Sequence, residues 1–86
     1  MKNFKISENI SFESIDNIIY VLNIDDGEYY ELSETASVVW KEIFKGSEMS
    51  KIKEELKALF VYDKKMDSDI ENLISELINL GLVIDC

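Results

Sequence analysis

The sequence predicts an α+β fold, a three-stranded antiparallel sheet followed by three helices, which is the element order of a winged helix-turn-helix. Two observations carry this. Up to Leu32 the apolar residues follow strand alternation, whereas Ala36, Val39, Trp40, Ile43 and Phe44 fall on one helical stripe, so the period switches from two to about 3.6 at Ser33. Two more helical stripes follow, the last closed by Gly81.

Taken in order, residues 1 to 9 are polar apart from Phe4 and Ile6, whose alternation allows a short extra strand or an arm lying on the domain. Ile10, Phe12 and Ser14 share one face of the first strand, and Ser14 to Asn17 supply turn residues. The run IIYVLNI at residues 18 to 24 is apolar on both faces, so it is predicted to be the central strand with cover on both. Asp25, Asp26 and Gly27 form the second turn, where glycine accepts the positive φ of a tight hairpin. The third strand, Glu28 to Leu32, turns Tyr29 and Glu31 outward and Tyr30 and Leu32 inward. No later segment reads as a strand long enough to pair beside it, which makes it an edge.

Ser33 is a good N-cap, with Glu34 favourably placed in the first turn of a helix that runs to Lys45 and stops at Gly46. Trp40 anchors its buried face. A second helix, opening at Ser47 or Glu48 with the serine as cap, runs to about Phe60 with Met49, Ile52, Leu56, Leu59 and Phe60 as its stripe. Asp63 caps a third, Lys64 to Leu80, whose band of Met66, Ile70, Leu73, Ile74, Leu77 and Ile78 is wider than one packing partner needs. Gly81 and Leu82 suit a Schellman-type stop, after which Val83 and Ile84 form a final strand or simply cap the core.

The chain of 86 residues is read as one domain, 1 to 86, and at this length only roughly 60 to 65% of the extended surface is hidden. A deep, water-free catalytic pocket is not expected. Eighteen acids against nine lysines give a formal charge of −9, with neither arginine nor histidine. Nucleic acid and anionic membrane surfaces are therefore poor partners, and the acidic third helix, with Asp67, Asp69, Glu71 and Glu76, argues against a DNA-reading winged helix. No apolar run approaches the ~18 to 20 residues of a membrane span and the start carries no signal-peptide core, so the expected location is the cytoplasm.

Catalysis has little to work with. No histidine serves as a base, and the lone Cys86 has no histidine to activate it. Asp67 and Asp69 read as a solvated helix N-terminus. Asp25, Asp26 and Glu28 do not make a calcium loop, because with Gly27 at the glycine position Leu22 and Ile24 would stand where ligands are needed. No enzyme activity, metal or cofactor is expected. What remains is a groove: the edge strand offers unpaired backbone groups to an added strand, and the wide third helix offers an apolar wall. The alternative is that Glu28 and Glu31 only protect the edge while Met66, Ile70 and Leu73 are ordinary core.

Two runs add a family resemblance. The first is Asp25, Gly27, Tyr29, Tyr30, Leu32, Ser33, Thr35, Ala36, Val39 and Trp40; the second is Asp69, Leu73, Ile74, Leu77, Gly81, Leu82 and Val83. In this order and at this spacing they resemble the PqqD-like proteins, over about residues 10 to 84. The resemblance implies a winged helix-turn-helix arrangement and a non-catalytic role. Such proteins bind the leader of a ribosomally made precursor peptide as an antiparallel strand, in the cleft between their third strand and third helix, and present it to a modifying enzyme or leader peptidase. Carried over, the binding residues are Tyr29, Tyr30, Glu31 and Leu32 on the strand and Asp69, Ile70 and Leu73 on the helix, with Lys65 and Met66 one turn earlier. Ser33 departs from the commoner asparagine, and a subunit serving a lasso-peptide peptidase or a radical-SAM enzyme would look alike. A structural, oligomerising subunit is the other class that fits.

Overall fold

The computed structural model describes residues 3–60 and 63–85, so Cys86 lies outside the described residues. The strands are β1 (Phe4–Ile6), β2 (Ile10–Ile15), β3 (Ile18–Asn23), β4 (Tyr29–Glu31) and β5 (Val83–Asp85), and the helices are α1 (Glu34–Phe44), α2 (Met49–Leu59) and α3 (Lys65–Asn79). The predicted three-stranded antiparallel sheet is β2-β3-β4, with β3 central. Beyond it, β1 and β5 pair antiparallel, Ile6 opposite Val83, so the amino-terminal arm and the last strand clasp each other. The strand count therefore exceeds the predicted three.

Local chemistry sets the connections. Ile15 pairs with Ile18 across a two-residue turn in which Asp16 and Asn17 both take positive φ, 50° and 68°, as a type I′ hairpin requires and as these short polar side chains tolerate. Before β4, Asp26 accepts the Glu28 N–H at 2.8 Å and Asn23 that of Asp25 at 3.0 Å, while Gly27 sits at φ 74°. The acids of this loop build the turn. Ser33 caps α1 as predicted, accepting the Ala36 N–H at 3.1 Å. Asp63 accepts the Lys65 N–H at 2.7 Å, but the N-cap of α3 is Lys64 with no side-chain cap bond, so the predicted cap lies one residue ahead of the helix boundary. At its far end Leu82 N–H reaches the Leu77 carbonyl and Gly81 N–H that of Ile78, the Schellman pattern, with Gly81 at φ 78° and Leu82 fully buried.

One hydrophobic core runs from Phe4 to Val83 and takes residues from every layer. Trp40 lies at its centre, packed edge-on by Phe12 at 5.4 Å. Other expectations fail. Phe44, the last residue of α1, is 67% exposed, with its ring edge-on to that of Phe12 at 5.2 Å. Leu59 is likewise exposed at the end of α2. Ser47 does not cap α2; its hydroxyl donates to the buried Glu42 carboxylate at 2.9 Å, which also holds Lys45 at 3.2 Å. The second face of β3 is covered only in part, contrary to the expectation drawn from its apolar run: Ile19 and Val21 are buried, whereas Ile18 and Tyr20 are half-buried and Leu22 is exposed.

Candidate peptide-binding groove

The free edge of β4 follows from the ladder. Leu32 N–H donates to Ile19 and Asn23 N–H donates to Glu28, both at 2.9 Å, so the pairs 19 with 32 and 23 with 28 are hydrogen-bonded ones. Bonded and non-bonded pairs alternate in an antiparallel ladder, which makes Val21 opposite Tyr30 the next bonded pair. The N–H and C=O groups of Tyr29 and Glu31 therefore point away from β3, and β4 is the end of its sheet. Their side chains are exposed, while Tyr30 is half-buried against the core and Leu32 is buried within it.

The ladder ends where α1 begins. The Ile19 N–H, which alternation would direct to the carbonyl of Leu32, donates instead to the Ser37 hydroxyl at 2.9 Å in the interior. Ser37 is a structural tie that sequence reasoning missed, since a serine on a helix stripe reads as a neutral replacement.

A cleft of about 220 Å³ opens beside this junction, lined by Thr35, Phe60, Asp63, Met66, Asp69 and Ile70. Three predicted residues, Met66, Asp69 and Ile70, thus come together across from the first turn of α1. Ile70 is only 1% exposed and is a core residue forming the floor, whereas Met66 is half-buried and Asp69 is an exposed acid. Lys65 is exposed and Leu73 packs against the core, and neither lines the cleft. Thr35 and Phe60 were not foreseen. Phe60 ends α2 as its C-cap, a position whose direction a helical stripe does not give. A larger groove of about 400 Å³ between α1 and α2 is lined by Val38, Leu59 and Phe60 together with charges that include the internally paired Glu42 and Lys45.

An open strand edge together with a small cleft is the kind of surface that strand addition uses. The chain belongs to the coenzyme PQQ synthesis protein D (PqqD) family, whose model matches residues 19–83. Among solved structures it is similar to TbiB1 in complex with the TbiA(beta) leader peptide, at 24% identity and a TM-score of 0.86 over 92% of this chain and 93% of that one. It is also similar to a lasso peptide synthetase B1 complexed with the leader peptide, at 22% identity and a TM-score of 0.84 over 94% and 96%. These likenesses show the fold. No curated protein matches the chain.

Proposed function

We propose that this chain binds the leader segment of a ribosomally synthesised precursor peptide by strand addition and presents it to a modifying or processing enzyme. The observation that carries this reading is the outward backbone of Tyr29 and Glu31 beside the cleft of Met66, Asp69 and Ile70. An antiparallel leader strand would exchange main-chain hydrogen bonds with those two residues. Its alternate side chains would then reach the cleft. Tyr30 and Leu32 hold the strand to the core, and Asp69 on the cleft wall would meet polar groups of the leader, with exposed Lys65 one turn earlier on the same helix. Both similar structures hold leader peptides, which supports the same ligand here. The chain itself is read as non-catalytic, a carrier working in the cytoplasm as one domain; among the described residues no helix is long and apolar enough to cross a membrane.

The test is a titration of a fluorescent leader peptide, taken from whichever short precursor reading frame a search of the neighbouring genes finds. Saturable binding that an unlabelled leader displaces is expected. An affinity indistinguishable from that of a scrambled peptide would contradict the reading.

A further inference from the structure

The leader cleft and the larger groove between α1 and α2 share a wall. Phe60 lines both, and the two meet at the first turn of α1, where Thr35 lines the cleft and Glu34 the groove. Along the groove Glu34, Val38, Lys41 and Lys45 fall on one stripe of α1, and α2 contributes Glu55 and Leu59. Its centre is apolar: Val38 and Phe60 are half-buried, and Leu59 is 60% exposed. The side chains of Glu34 and Lys41 make no hydrogen bond or ion pair among the described residues, whereas Lys45 is held by Glu42 and Glu55 by Lys51.

Chain direction joins this groove to the leader. β4 runs toward Ser33 and the start of α1. A strand added antiparallel to it runs the other way, so the leader residue beside Glu31 precedes the one beside Tyr29, and the residues ahead of both leave the sheet at the first turn of α1. There they meet Phe60 and the mouth of the groove. The stripe from Glu34 to Lys45 is about 16 Å long at the rise of an α-helix. An extended chain covers that length with about five residues.

We propose that the groove between α1 and α2 is a second site for the same peptide: it holds the roughly five leader residues that precede the added strand, with an apolar side chain on Val38, Leu59 and Phe60 and a carboxylate against Lys41. The proposal rests on the leader-binding reading and extends it. The cleft alone, at about 220 Å³, is smaller than pockets that bury a whole ligand and has room for a side chain or two. Because the strand already tethers the peptide, a weak contact in the groove becomes intramolecular and adds to the total affinity. Leaders that pair equally well with β4 are then distinguished by what lies upstream of the strand.

The experiment uses the fluorescent leader of the titration above and a nested series shortened one residue at a time from its amino terminus, each titrated against the unaltered chain, Leu59→Glu and Lys41→Glu. Leu59 is exposed and Lys41 is unpaired, so both variants should melt close to the parent. With the unaltered chain, trimming the residues ahead of the strand is expected to weaken binding about tenfold before the strand itself is cut and binding collapses. Leu59→Glu should weaken the full leader by a similar factor and Lys41→Glu several-fold, with neither changing the affinity of the trimmed leader beyond twofold. Full-leader affinity within twofold of the parent for both variants would overturn the groove site. So would equal weakening of full and trimmed leaders, which would place the effect on the shared Phe60 wall rather than on a contact in the groove. Self-association that Leu59→Glu abolishes would make a second copy the occupant and overturn it too. Failure of the unaltered chain to bind any leader would instead overturn the reading on which the proposal rests.

Discussion

The backbone N–H of Ile19 and the hydroxyl of Ser37 meet at 2.9 Å inside the core, joining the central strand to α1 where β4 leaves the ladder. A buried amide must have a partner, and here a side chain replaces the next strand residue. Ser37→Ala strands that donor at a cost of about 1 to 3 kcal/mol. Urea unfolding followed by Trp40 fluorescence should show the lowered midpoint with an unchanged slope.

Trp40→Ala removes the largest fully buried side chain and should cost about 3 to 5 kcal/mol, a large share of the stability of so small a domain. Its indole N–H has no hydrogen-bond partner among the described residues, so its contribution is apolar burial. Far-ultraviolet circular dichroism on heating would show the loss. A variant that melts normally yet fails to bind leader would move Trp40 from core to groove.

Cleft wall and cleft floor should separate under mutation. Ile70→Asp places a charge in the core and should unfold the chain, whereas Met66→Asp alters a half-buried wall. Met66→Asp is therefore the informative variant, with leader affinity falling more than tenfold, about 1.4 kcal/mol or more, and a thermal midpoint close to the parent.

Strand and helix periodicity made most elements legible, and the cap at Ser33 and the stop at Gly81 marked helix ends because their chemistry is local, while Asp63 marked the start of α3 to within a residue. What could not be read is non-local. Alternation shows that Ile18, Tyr20 and Leu22 share a face, but not whether anything covers it, and the assumption that apolar means covered misplaced that face. The pairing of Phe4–Ile6 with Val83–Asp85 spans the chain, and the partner of Ser37 lies 18 residues away. For the groove, the resemblance named Met66, Asp69 and Ile70, which the fold brings to one cleft, yet a helical stripe does not separate floor from wall. Phe60 and Thr35 enter only through the fold.

Proline scanning distinguishes main-chain from side-chain recognition at β4. Glu31→Pro removes an N–H that β3 does not use, so leader binding should fall more than tenfold while stability changes little. Tyr30→Pro removes the donor facing Val21 and should destabilise the domain itself. Binding of the leader should also weaken only modestly with added salt, because backbone bonds and apolar anchors are screened less than exposed ion pairs.

The most direct test of strand addition is amide hydrogen exchange, read residue by residue by NMR with and without the leader peptide. Exchange at Tyr29 and Glu31 should slow on binding, while Tyr30, already bonded within the sheet, changes little. The other free edge supplies the contrast, since the Phe12 and Ser14 amides of β2 also point away from β3. Protection gained at Phe12 and Ser14, or along α2, with Tyr29 and Glu31 exchanging as before, would contradict leader capture at the β4 edge.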